Sequence, residues 1–149
     1  MQSQLVSKLR TKDDLDILKG ELDMIENAIY HTDIKYEDVL RSDIRSWVSE
    51  IIIRESEGQD LGSYVKKLRD DIVGVPILSA SIYFEPSLSF TETISAWLKK
   101  NVSQNIVIEV LQNSSVLGGI QLSYKGKYLD LTLRKKIDKE LESITLVRN

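Results

Sequence analysis

Chemistry needs particular residue types at particular spacings, and this chain offers few. It has one histidine, His31, and no cysteine, so disulfides, zinc-thiolate sites and a cysteine nucleophile are excluded. A metal site built on His31 would need carboxylates for every other ligand. The acidic run Asp13, Asp14 and Asp16 lacks the glycine and closing glutamate of a calcium loop, and it falls where the first turn of a helix favours negative charge. No Gly-x-Ser-x-Gly elbow singles out a serine as nucleophile. Gly118-Gly119 would suggest a phosphate cradle if a helix followed, but a strand pattern follows, so the pair reads as a bend, a bulge or a close backbone contact. A positive φ at either glycine is expected, with Gly→Val there costing about 1–3 kcal/mol. Gly126-Lys127 is not a P-loop, because Tyr128 stands where Ser or Thr is required and Gln121 where the first glycine is required. Asp130, before a helix start, reads as structural. Arg134, Lys135 and Lys136, with Lys125 and Lys127 nearby, read as a solvated basic face or as a docking surface. The expectation is a non-enzyme without metal or cofactor.

The elements that must position these residues change character along the chain. Leu15, Leu18, Leu22, Ile25 and Ile29 recur at helical spacing, and Thr11 with Asp14 makes a capping box that would start that helix. A second stripe, Leu40, Ile44, Trp47, Val48 and Ile51, predicts one helix over 36–54. Leu61, Val65, Leu68 and Ile72 predict a third, capped by Asp60. Gly74-Val75-Pro76 ends the helical period. Beyond it, 77–84 reads as a strand with Leu78, Ala80, Ile82 and Phe84 on one face. A helix capped by Ser89 follows, with Phe90, Ile94, Trp97 and Leu98 as its stripe, and 105–111 is a second strand. Lys125-Gly126 then reads as a two-residue hairpin turn that sets Tyr124 opposite Lys127, Leu122 opposite Leu129 and Ile120 opposite Leu131. Thr132 caps a last helix with stripe Leu133, Ile137, Leu141 and Ile144. Trp47 and Trp97 both fall on apolar stripes and read as core.

The predicted fold is α+β: a helical N-terminal lobe of about three helices over 1–75, then a β-α-β-β-β-α sheet domain over 76–149. At 149 residues the chain is long enough for a substantial core. Its net charge of −3 does not mark a nucleic-acid binder, although residues 1–75 carry −5 and the remainder +2. The N-terminus lacks the apolar core of a signal peptide, and no apolar run approaches the roughly 18 residues of a membrane span.

Over some 65 residues the C-terminal half resembles the C-terminal domain of the F-type ATP synthase delta subunit, whose mitochondrial counterpart is the oligomycin-sensitivity-conferring protein. The resemblance rests on Leu88-Ser89, Leu117-Gly118-Gly119, Gly126, Asp130 and a basic last helix with Arg134 and Lys136. It departs at Leu131-Thr132, where the family usually has Gly-Ser, and in an N-terminal part shorter than the family's six-helix bundle. The resemblance implies a non-catalytic stator subunit at the cytoplasmic face of a membrane, reached only through its complex. It would join the catalytic head to the peripheral stalk, with the C-terminus of the b subunit as partner and the N-terminal segments of the alpha subunits as a second. A stator E-type subunit of another rotary ATPase or export apparatus resembles this stretch more weakly. From a different class, a small nucleic-acid-binding α/β module would use the same lysines and arginines, against the acidic composition.

Overall fold

A computed structural model describes residues 3–31, 33–132 and 139–143. The first described helix, which the sequence pattern did not reveal, is α1 (Gln4–Lys8); it starts at the Ser3 hydroxyl, and its Leu5 and Val6, with Leu9 just beyond it, are buried almost completely. Helix α2 (Lys12–Tyr30) begins at the expected capping box, the Thr11 hydroxyl accepting from the Asp14 N–H and the Asp14 carboxylate from the Thr11 N–H. Leu15, Leu18, Leu22 and Ile25 all face inward from it.

The single helix expected over 36–54 is two. Helix α3 (Tyr36–Ser42) and helix α4 (Ser46–Glu55) are separated by Asp43, Ile44 and Arg45. The break keeps the stripe intact, because Leu40, Ile44, Val48 and Ile51 are all buried while the backbone turns between them. Two side chains hold the turn. The buried Ser49 hydroxyl donates to the Leu40 carbonyl at 2.5 Å, tying α4 to the end of α3. The Glu21 carboxylate accepts the Arg45 backbone N–H at 2.8 Å, supplying the N-terminal cap that no local residue provides. Helix α5 (Leu61–Val73) starts, as predicted, at Asp60, which accepts from the Ser63 N–H at 2.8 Å.

The chain becomes extended after Pro76. Strand β1 (Ile77–Ile82) and strand β2 (Val107–Gln112) pair in parallel and are joined by helix α6 (Leu88–Asn101), the crossover that a parallel pair demands. Strand β3 (Ile120–Tyr124) lies antiparallel on the other side of β1, and β4 (Lys127–Asp130) pairs with β3, giving the order β2-β1-β3-β4. The α+β class and the helical N-terminal region are as expected. Three details differ. Helix α6 is capped by Ser87, not Ser89: the Ser87 hydroxyl accepts the Phe90 N–H at 3.1 Å. Strand β1 ends at Ile82, leaving Phe84 48% exposed, edge-on to Phe90 with ring centres 5.2 Å apart. Strand β2 begins at Val107 instead of 105. Residues 139–143 are helical, whereas Leu133, Ile137 and Ile144 of the last predicted helix lie outside the described residues.

Two apolar clusters result. One fills the helical part and takes in Val107 at the start of β2; the other lies between α6 and the sheet, around Leu78, Ala80, Leu98, Ile106 and Ile108. The clusters meet along a seam. The Arg10 carbonyl accepts from the Ile108 N–H at 3.0 Å, and Lys12 pairs with Glu109 at 3.1 Å.

The N-terminal helix is clamped by one carboxylate. Glu55 accepts from the Ser3 hydroxyl at 2.6 Å, the Tyr64 hydroxyl at 2.8 Å and the Gln4 backbone N–H at 3.0 Å. Partial burial works to raise the Glu55 pKa, but these hydrogen bonds outweigh it and leave the pKa below the usual glutamate value. A depressed carboxyl pKa contributes stability above the unfolded value, near 4.3, and loses it as pH falls through the lower folded value. We therefore expect the exchange protection factor of the Leu9 amide, bonded to the Val6 carbonyl at 3.3 Å, to fall in that acidic window. Glu55→Gln should show low protection at neutral pH with no further loss in acid; a protection factor unchanged by pH and by the substitution would overturn the clamp.

Candidate functional site

Of the residues singled out by the sequence, Gly118, Gly119, Lys125, Gly126 and Asp130 lie on or beside the β3–β4 hairpin, where each has a backbone task. Lys125 has φ +47° and Gly126 φ +75°, the paired positive values that a type I′ two-residue turn requires. The predicted register follows: Tyr124 opposite Lys127 and Leu122 opposite Leu129, with the Leu131 N–H donating to the Ile120 carbonyl at 2.9 Å. A Cβ on Gly126 would meet nothing within 4 Å, so its conformation alone calls for glycine there.

Gly118 and Gly119 have φ +62° and +73°, as expected. Gly119 carries a second constraint. A Cβ there would overlap the Leu131 carbonyl oxygen and lie 3.1 Å from both the Leu131 carbonyl carbon and the Thr132 Cα. The glycine pair therefore lets the chain entering β3 pass against the chain leaving β4. Asp130 secures the same crossing: one of its carboxylate oxygens accepts from the Thr132 N–H at 2.9 Å and from the Thr132 hydroxyl at 2.6 Å, while Gln121 donates to the other at 3.4 Å. Glycine pair, turn and aspartate thus shape one hairpin.

That hairpin presents an apolar face. Ile120, Leu122 and Tyr124 pack on the sheet core, whereas Leu129 on β4 and Leu131 just beyond it are 50% and 53% exposed. Lys125 and Lys127 are exposed at the turn, with the Lys125 ammonium 5.3 Å from the centre of the Tyr124 ring. Arg134, Lys135 and Lys136 lie outside the described residues. Leu141, in the helical stretch beyond, is 56% exposed.

Other expectations resolve differently. Trp97 is not core: it is 60% exposed, because α6 turns Ile94, Ser95 and Leu98 toward the sheet instead. Trp47 is partly buried against the helical core and carries the Arg45 guanidinium over its ring at 4.9 Å. His31 ends α2, its N–H bonded to the Asn27 carbonyl. Among the described residues no three His, Asp or Glu side chains gather closely enough to hold a metal ion, and no helix is long and apolar enough to cross a membrane.

Sequence reasoning missed one gathering of charge. Lys8, Arg10, Arg45 and Lys99 converge on one groove beside Trp47, although they span some ninety positions of sequence. They sit on separate elements, so only the fold brings them together. No protein-family model matches the chain, and no curated protein matches it in sequence.

Proposed function

We propose that the chain is a non-catalytic stator subunit of a rotary ATP synthase, joining the catalytic head to the membrane-anchored stalk. The observation that carries the reading is the backbone role of Gly118, Gly119, Gly126 and Asp130, four positions on which the resemblance to the delta-subunit family rests. Residues that serve the shape of the backbone suit a part that transmits force and performs no reaction. The half-exposed Leu129 and Leu131, bordered by Lys125 and Lys127, suit capture of an amphipathic helix such as the end of a b subunit: apolar area supplies affinity and rim charge speeds encounter. In this reading the protein lies at the cytoplasmic face of the membrane and contacts lipid only through its complex.

The test is titration against a peptide from the C-terminus of the b subunit and against a random RNA, each at two salt concentrations. Peptide binding should weaken only mildly as salt rises, and Lys127→Glu should slow association while leaving the fold intact. A protein reading phosphates through 6–10 contacts would instead lose about 10³–10⁵ in affinity between roughly 50 and 200 mM salt. Steeply salt-dependent RNA binding without peptide binding would overturn the stator reading in favour of a nucleic-acid module.

A further inference from the structure

We propose that the groove bordered by Lys8, Arg10, Trp47 and Lys99 binds a small free oxyanion, a carboxylate or a phosphate. The groove encloses about 520 Å³ where α1, the connector into α2, the start of α4 and the last turn of α6 meet. Four cations line it, and their partners are unequal. Arg45 is held by both oxygens of Glu21, at 2.9 Å each, and Arg10 by Glu92 at 2.7 Å. Among the described residues Lys8 and Lys99 have no carboxylate at ion-pair distance.

Lys99 is the more telling of the two. Its ammonium donates to the Ser7 carbonyl at 2.7 Å and the Gln104 carbonyl at 3.0 Å, two neutral acceptors, and an ammonium has a third proton to give. Burial, and then the positive charge of Arg10, push its pKa below the ordinary lysine value against a smaller opposing pull from Asp14. An oxyanion in the groove would answer both effects, accepting the third proton and offsetting the crowded positive charge. Lys8 lines the same groove, its ammonium 6.0 Å from the centre of the Trp47 ring.

The remaining charges limit what fits. Asp14 also lines the groove, but its carboxylate already accepts the N–H groups of Arg10 and Thr11, at 3.2 Å each, and lies 3.8 Å from Arg45. Four cations against Asp14, Glu21 and Glu92 leave a single unit of positive charge. That balance suits a small, weakly charged anion over a polyanion. Trp47 forms the flat wall, fixed by the guanidinium stacked on it.

The chain has two tryptophans, so Trp97→Phe leaves Trp47 as the sole reporter beside the groove. Sodium phosphate and sodium acetate are titrated into this variant, each against sodium chloride at matched ionic strength. A saturable change in Trp47 emission is expected with at least one oxyanion and not with chloride, and the tighter binder identifies the class. Lys8→Ala, a surface change, should weaken binding about tenfold or more while leaving thermal melting unaltered. Lys99→Met should abolish the response, its melting curve confirming that the variant is folded. No saturable response to either oxyanion, or equal affinity in the Lys8→Ala protein, would overturn the proposal.

Discussion

Replacing Arg45 with alanine is expected to cost about 3 kcal/mol of stability, the lower end of the range for removing one partner of a buried ion pair, since Glu21 is buried while the Arg45 side chain keeps 26% exposure. Glu21 is 4% exposed and engaged three times by a single residue, through the backbone N–H, Nε and a terminal guanidinium nitrogen of Arg45. Alanine keeps the first of these bonds and deletes the other two. A buried carboxylate is left without its counter-charge, and the stacking on Trp47 goes too. The loss would appear in urea unfolding as a lowered midpoint at unchanged slope. The pair itself is a different matter, since taking two charges out of water is costly. Glu21→Leu combined with Arg45→Met should therefore recover most of the loss, short of roughly 1 kcal/mol for the Arg45 N–H deprived of its acceptor. An Arg45→Ala protein destabilised by less than about 1 kcal/mol would show that the carboxylate finds water instead, and that the α3–α4 turn does not depend on it.

The same residue marks the limit of what the sequence discloses. The start of α2 is legible because its signals are local: Thr11 and Asp14 are three positions apart, and the leucines repeat on one face. The break between α3 and α4 is not, because its cap comes from Glu21, 24 positions away, and because the apolar stripe runs unbroken through a backbone that is broken. Helix α1 is too short for a period to emerge, although Leu5, Val6 and Leu9 are among the most deeply buried side chains. On α6 the periodicity identifies a helix but misplaces its inner face, since Ser95 is buried where Trp97 was expected. The hairpin lies at the other extreme. Two residues dictate its turn, alternation dictates its faces, and the predicted pairs occur. The oxyanion groove has no local signature at all, its cations being brought together only by the meeting of helices and sheet.

Gly119→Val should destabilise the protein by about 3 kcal/mol or more, at or above the upper end of the cost of left-handed backbone strain alone. Strain and close approach are both present there, and they can be separated. Gly126 shares the positive φ, +75° against +73° at Gly119, yet has open space where a Cβ would go. Gly126→Ala therefore reports the backbone cost by itself, about 1–2 kcal/mol. Gly119→Ala adds the overlap with the Leu131 carbonyl, which belongs to backbone and cannot rotate away as a side-chain tip would. Relief requires parting the chain that enters β3 from the chain that leaves β4, and that movement strains the bonds from Thr132 to Asp130. Gly119→Ala should thus exceed Gly126→Ala, and Gly119→Val should exceed both, with altered amide chemical shifts at Thr132 and Gln121 marking where the damage spreads. Equal losses at the two alanines would mean that the crossing relaxes freely, and that the glycine pair serves backbone conformation alone.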